Sequence, residues 1–175
     1  TRVPDTTPRA RRVLVALTTL IVVLIVAGLS LAARPGDLAI DEPITEDGYY
    51  ALAVARSIAD GSGVTIDGIN ATNGFQPLFT FLAAGAFVIT PNDTWAIRVV
   101  LVLHWAIWVA TAWLLSTILA EWMGVRGDRR RLVRVTTGLL FLGATYIIHV
   151  SFNGLETGLV LLGYVVLWRR FQVSS

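Results

Sequence analysis

From Val13 to Ala33 the chain runs for 21 residues without a charged side chain, directly after Arg9, Arg11 and Arg12. At 1.5 Å of helical rise per residue, that run is long enough for a hydrocarbon core of ~30 Å. A helix apolar on every side needs apolar surroundings, so the run points to a membrane anchor or a signal peptide. Signal h-regions measure about 7–15 residues, and the length therefore favours an anchor that is retained. A second uncharged run, Val99 to Ala120, covers 22 residues. Third and fourth runs follow at Val135–Phe152 and Leu155–Trp168, with Glu156 at the mouth of the last. Composition agrees: 55% of the 175 residues are hydrophobic and 15% charged, with a mean hydropathy of +0.68. An ordinary soluble domain carries about 25% charge. Intrinsic disorder is excluded, because too much apolar surface would be left in water. The absence of cysteine excludes disulfides, thiolate metal sites and a Cys nucleophile.

Charge decides how these runs are threaded. All fourteen basic residues are Arg, a composition that hints at a GC-rich bacterial genome. Eleven lie in three clusters, namely Arg2, Arg9, Arg11 and Arg12; Arg126, Arg129, Arg130, Arg131 and Arg134; and Arg169 with Arg170. The stretch Phe75–Thr90 is apolar but only 16 residues long, with Gln76 and Pro77 near its start and Pro91 after it. If it crossed the membrane, the middle cluster would face away from the first. If it lies in the interface, all three clusters share the cytoplasmic side, as the positive-inside rule favours. Nine of the twelve acids then fall on the other side. The expected fold is an all-α polytopic membrane bundle of about four transmembrane helices, with two juxtamembrane helices in the first exterior loop. Its segments are a cytoplasmic basic tail 1–12, a span 13–33, an exterior loop 34–94 with helices at about 45–60 and 77–90, a span 95–122, an Arg-rich cytoplasmic loop 123–134, a span 135–152, a short exterior loop 153–156 and a span 157–170. Both termini would be cytoplasmic in a plasma membrane, with the acidic loop exterior or periplasmic. A pI near 9.5 raises nucleic acid as a partner, but these arginines flank apolar runs and form no phosphate-tracking stripe, so that partner is set aside.

Chemistry concentrates in the exterior loops. Thr45 is placed to cap a helix whose first turn holds Glu46 and Asp47. Its apolar face would carry Tyr50, Ala53, Val54 and Ile58, and Gly61 and Gly63 would end it. Asp67-Gly68 and Asn73-Gly74 read as turns. A carboxylate beside aromatics at a bilayer edge can serve as a general base towards a hydroxyl; the plainer reading is that Glu46 and Asp47 only start a helix in water. Glu156, in Asn153-Gly154-Leu155-Glu156-Thr157, is an ionisable residue at the end of an apolar run and a candidate by position. His104 lies within the second run and His149 near the end of the third. A lone helical His is more often packed than a ligand. Asn70-Ala71-Thr72 matches a glycosylation acceptor, relevant in a eukaryotic secretory setting. Phosphate-binding Gly-rich loops, metal-spaced His clusters and Ser-His-Asp patterns are missing from the sequence.

These motifs carry a family resemblance. Glu46-Asp47-Gly48-Tyr49-Tyr50, followed by Ala55-Arg56, is similar to the acidic pair in the first exterior loop of GT-C fold glycosyltransferases. These are multispanning enzymes that use polyprenyl-phosphate sugars. Gln76-Pro77-Leu78-Phe79 stands where related enzymes carry a Pro-Pro-Leu type sequence, Arg98 opens the next span, and Asn153 to Thr157 resembles a Gly-Met-Glu-Thr type string. The likeness extends from the first span to Arg170, and is to the N-terminal part of protein mannosyltransferase and aminoarabinose transferase-like enzymes. It implies Asp47 as catalytic base, with Glu46 its neighbour and possible substitute, and Glu156 as a second acid that binds acceptor or metal. A phosphate leaving group needs positive charge. Besides Arg34, Arg56 and Arg98 are the exterior-side arginines that could supply it, with Tyr49, Tyr50 and His149 as supporting residues. The plainer readings are a helix-surface charge for Arg56 and an interfacial snorkelling side chain for Arg98. A divalent cation is compatible with such a site and not required by it.

The implied partners are a polyprenyl-phosphate-linked sugar, a glycan, lipid or protein hydroxyl acceptor of the cell envelope, and membrane lipids. Family members carry more spans than four. The chain is therefore expected to be the N-terminal portion of a larger enzyme, or to be completed by helices of a complex. The alternative is a non-catalytic membrane subunit or scaffold that keeps the fold and binds a lipid carrier or partner helices. A transporter ranks third, because the runs hold too few ionisable residues for a coupled ion path.

Overall fold

The computed structural model describes residues 8–36, 44–144 and 153–174. Among them are six α-helices and no strand: α1 Pro8–Ala32, α2 Glu46–Ala59, α3 Pro77–Ile89, α4 Asp93–Trp122, α5 Gly127–Leu142 and α6 Thr157–Ser174. The all-α expectation holds. Local sequence explains most of the ends. Pro77 opens α3 from a position where a missing N–H costs nothing. Asn92 caps α4, its side-chain oxygen accepting the Trp95 N–H at 3.1 Å. Helix α1 begins at Pro8, so Arg9, Arg11 and Arg12 are helical.

Helix α5 departs from the reading of residues 123–134 as a loop. Arg is a good helix former, and the helix begins at Gly127, taking in Arg129, Arg130, Arg131 and Arg134. It ends at Leu142, where Gly143 follows. Residues 145–152 of the third apolar run, His149 among them, lie outside the described residues, as do Asp37, Asp41 and Glu42.

The helices enclose two cores. In one, Leu52 and Ala55 of α2, Phe79 and Ala83 of α3, and Ala96 and Val100 of α4 pack together. The second joins α1, α5 and α6 around the next stretch of α4. Trp108 stacks on Phe141 with ring centroids 4.1 Å apart, and the Trp105 indole N–H donates to the Ile25 carbonyl at 3.0 Å. Gly28 of α1 lies flat on the Trp105 ring; a Cβ there would overlap it. Helix α4 is thus the common wall of both cores. At its far end Glu121 meets Arg130 of α5 at 3.1 Å and Arg169 of α6 at 4.0 Å.

Among the described residues, two helices are long and apolar enough to cross a membrane, Pro8–Ser30 within α1 and the whole of α4. Among the described residues none in the apolar window of α1 is fully buried, whereas half of the window of α4 is. Val15, Val22 and Val26 on α1 are exposed. Each apolar Å² left in water costs about 25 cal/mol, a cost that a bilayer removes.

Candidate functional site where two helix starts meet

Two short segments far apart in sequence are locked together by backbone. Asn153 offers its carbonyl oxygen to Thr45 twice, accepting the backbone N–H at 3.0 Å and the hydroxyl at 2.9 Å. Beside them Gly48 and Gly154 touch. A Cβ on Gly154 would sit 2.8 Å from the Gly48 Cα, and one on Gly48 would overlap the Asn153 carbonyl oxygen. Gly154 has φ +85, a left-handed backbone that side chains rarely adopt. Thr45 does occupy the cap position of α2, yet its side chain makes no cap bond. The hydroxyl is spent on Asn153 instead, because that carbonyl sits within its reach.

The same loop is held from below. Asn153 accepts the Leu155 N–H on its side-chain oxygen at 3.1 Å, a tight local turn. The Leu155 carbonyl lies 3.2 Å from Nε2 of His104, whose Nδ1 lies 3.0 Å from the Val100 carbonyl. His104 is buried, with its ring 4.6 Å from that of Phe79. It is a structural tie between α4 and the 153–155 loop. The sequence reading weighed His104 as packed or liganding, and the contacts here are those of packing. Glu156 then opens α6, its carbonyl accepting the Val160 N–H at 2.9 Å.

The starts of α2 and α6 therefore meet, each with an acid in or beside its first turn. The positive end of a helix macrodipole is where a carboxylate is best placed. Asp47 and Glu46 are exposed and Glu156 is half-buried. The structure brings the Asp47 segment and the Glu156 segment together, which sequence separation alone could not reveal. Among the described residues no group of three His, Asp or Glu side chains converges as a metal site.

The two arginines assigned to the donor phosphate are engaged elsewhere. Arg56 pairs with Asp93 at 2.5 Å and Asp60 at 3.7 Å, bracing α2 against the start of α4. It lies nine residues beyond Asp47, half a revolution around the helix and about 13 Å along it. Arg98 donates to the Arg34 carbonyl at 2.9 Å and lies over the Trp95 ring, 4.9 Å from its centre. Tyr49 packs against the first core. Tyr50 places its hydroxyl 2.5 Å from that of Thr72, tying α2 to the following loop. His149 lies outside the described residues.

Four residues of this junction were not singled out by sequence as site residues: Thr45, Gly48, Asn153 and Gly154. A signal did exist for Gly48. Glycine in a first helical turn weakens the helix, so its presence marks a close approach of other backbone. The loop after α2 is separately ordered by Asp67, which accepts the N–H groups of Ile69 and Asn70, the Asn70 amide and the Thr65 hydroxyl. Those donors hold its carboxyl well below its usual pKa of 3.8, the Asn70 N–H contributing most.

Comparison with protein-family models, with curated proteins and with solved structures finds no match to this chain.

Proposed function

We propose that the chain is a membrane glycosyltransferase of GT-C type, or the N-terminal part of one, acting at the exterior face on a polyprenyl-phosphate sugar. The observation that carries this reading is the Thr45–Asn153 and Gly48–Gly154 junction, which joins the two acid-bearing segments on which the family resemblance rests. Asp47 takes the acceptor O–H proton as that oxygen attacks the anomeric carbon. The bond from that carbon to the phosphate oxygen breaks, its electron pair leaves with the lipid phosphate, and configuration inverts. Glu156 orients the acceptor or a divalent cation. Since Arg56 and Arg98 are already engaged, charge for the departing phosphate comes from their rearrangement or from parts of the protein beyond these helices.

The four-span topology belongs to the same proposal. Its support is the segregation of charge in the fold. Arg9 and Arg129 line one groove and Arg11 and Arg131 another, so the basic ends of α1 and α5 lie side by side. Helices α2 and α3 pack at the opposite end of α4. Helix α4, 30 residues long, measures about 45 Å and exceeds a ~30 Å core by several turns. The surplus is the segment that α2 and α3 cover. The acid-bearing junction, tied to His104 only five residues inside the uncharged run of α4, then lies at the exterior membrane boundary.

The test is label transfer from polyprenyl-phosphate sugars in membranes carrying the protein. Asp47→Asn should cut transfer by about 10²–10⁴-fold, the usual contribution of a general base, with protein level and thermal stability unchanged. Undiminished transfer by that variant overturns Asp47 as the base. The engagement of both arginines is the one observation that favours a non-catalytic subunit, and that reading expects no transfer by the chain alone.

A further inference from the structure

At the arginine-bearing end, α1, α4 and α5 leave a crevice of about 530 Å³ between them. Its walls are apolar, built from Ile21 and Ile25 of α1, Val109 and Trp113 of α4, and Leu142 of α5. Its lining at the start of α5 is cationic, with Arg130 and Arg131 on one turn and Arg134 on the next. We propose that this crevice binds an anionic glycerophospholipid, the phosphate held by the arginines and one acyl chain laid along the walls. The inference rests on the proposed membrane topology of these helices and not on the glycosyltransferase activity.

Charge complementarity selects this occupant. Among the described residues, Arg130, Arg131, Arg134 and the nearby Arg169 have Glu121 and Asp128 as their carboxylate partners, at 3.1 to 4.0 Å, an excess of two positive charges. Among the described residues Arg134 has no carboxylate within ion-pair distance. Guanidinium groups offer forked N–H donors that match phosphate oxygens. A free phosphate would meet these donors but leave the walls bare. A zwitterionic lipid would cover the walls, yet its own cation would oppose the arginines. Basic pockets between spanning helices on the cytoplasmic side are physically suited to anionic headgroups. A second groove shares Arg131 and Val135 with the crevice and continues past Arg11, Leu14 and Val22 on α1, which accommodates the second acyl chain.

The test is native mass spectrometry of the delipidated protein in neutral detergent, titrated with phosphatidylglycerol or phosphatidylcholine. Phosphatidylglycerol should bind at least about tenfold more tightly. The double variant Arg131→Gln/Arg134→Gln should lose that preference. Arg126→Gln/Arg129→Gln removes the same charge from the same end outside the crevice and should keep it. Matched circular dichroism and thermal unfolding confirm that both variants fold. Equal binding of the two lipids overturns the proposal. So does equal loss in both double variants, which would mean a general basic surface, and so does the absence of binding of either lipid, which would mean a closed crevice.

Discussion

The carbonyl oxygen of Asn153 accepts both the N–H and the hydroxyl of Thr45 across 108 positions of sequence. One acceptor thereby positions the start of α2 against the loop that opens α6. Neither segment would hold this place by helix propensity. The orienting elements are two hydrogen bonds, two glycines in contact and the buried His104 beneath them.

Gly154→Ala should destabilise the protein by about 1–3 kcal/mol, from crowding against Gly48 and from the left-handed backbone. Gly85→Ala is the contrast: Gly85 lies within α3 with nothing within 4 Å of an added Cβ, and alanine there should stabilise by up to about 1 kcal/mol. Thermal unfolding in detergent measures both. Equal stability of the two variants would mean that the Gly48–Gly154 contact is not tight.

Thr45→Val keeps the shape of the side chain and the backbone bond to Asn153 but loses the hydroxyl bond. The expected cost is about 1 kcal/mol. Because the hydroxyl bonds the backbone carbonyl of Asn153 and not its side chain, Asn153→Ala should leave the effect of Thr45→Val unchanged. A double-mutant cycle with strong coupling between the two side chains would contradict the assigned partner.

The proposed four-span topology makes a clean labelling prediction, since the chain has no cysteine. Exposed Ser62 lies beyond α2 and exposed Arg126 between α4 and α5. In intact cells with a permeable outer layer, an impermeant maleimide should modify Ser62→Cys and spare Arg126→Cys until the membrane is opened. Labelling of both from the outside would rule out the proposed arrangement.

The loop carrying Asp67 should be acid-resistant. Its carboxyl pKa is lowered on folding, so its stabilising contribution is complete above the ordinary value of 3.8 and is lost only as pH falls through the lower folded value. Amide exchange at Ile69 and Asn70 should stay equally protected, relative to intrinsic rates, between pH 7 and pH 4. Asp67→Ala should abolish that protection at both. Loss of protection already near pH 4 in the unmodified chain would show that these donors do not lower the carboxyl pKa.

How much of this was legible beforehand differs by element. Uncharged runs announced α1 and α4, because hydrophobic length is a local property that needs no partner. The start of α2 at Glu46 and of α3 at Pro77 followed from first-turn chemistry. The start of α5 did not, because hydropathy marks where a chain is apolar, whereas Arg continues a helix into polar surroundings without penalty. Asp47 and Glu156 could be named as candidates, but Arg56 and Arg98 could not be followed to their partners. A long flexible cation selects its partner from whatever the packing brings near, here Asp93 and the Arg34 carbonyl.

Sequence alone determined the helical class and the clustering of arginines beside the apolar runs, since charge and hydropathy are carried by each residue wherever it lies. Tertiary structure alone decided that Thr45 meets Asn153 and that Gly48 meets Gly154. Those contacts depend on how α4 aligns two helix starts over a hundred residues apart, and only small side chains and a left-handed turn let the backbones close to that distance.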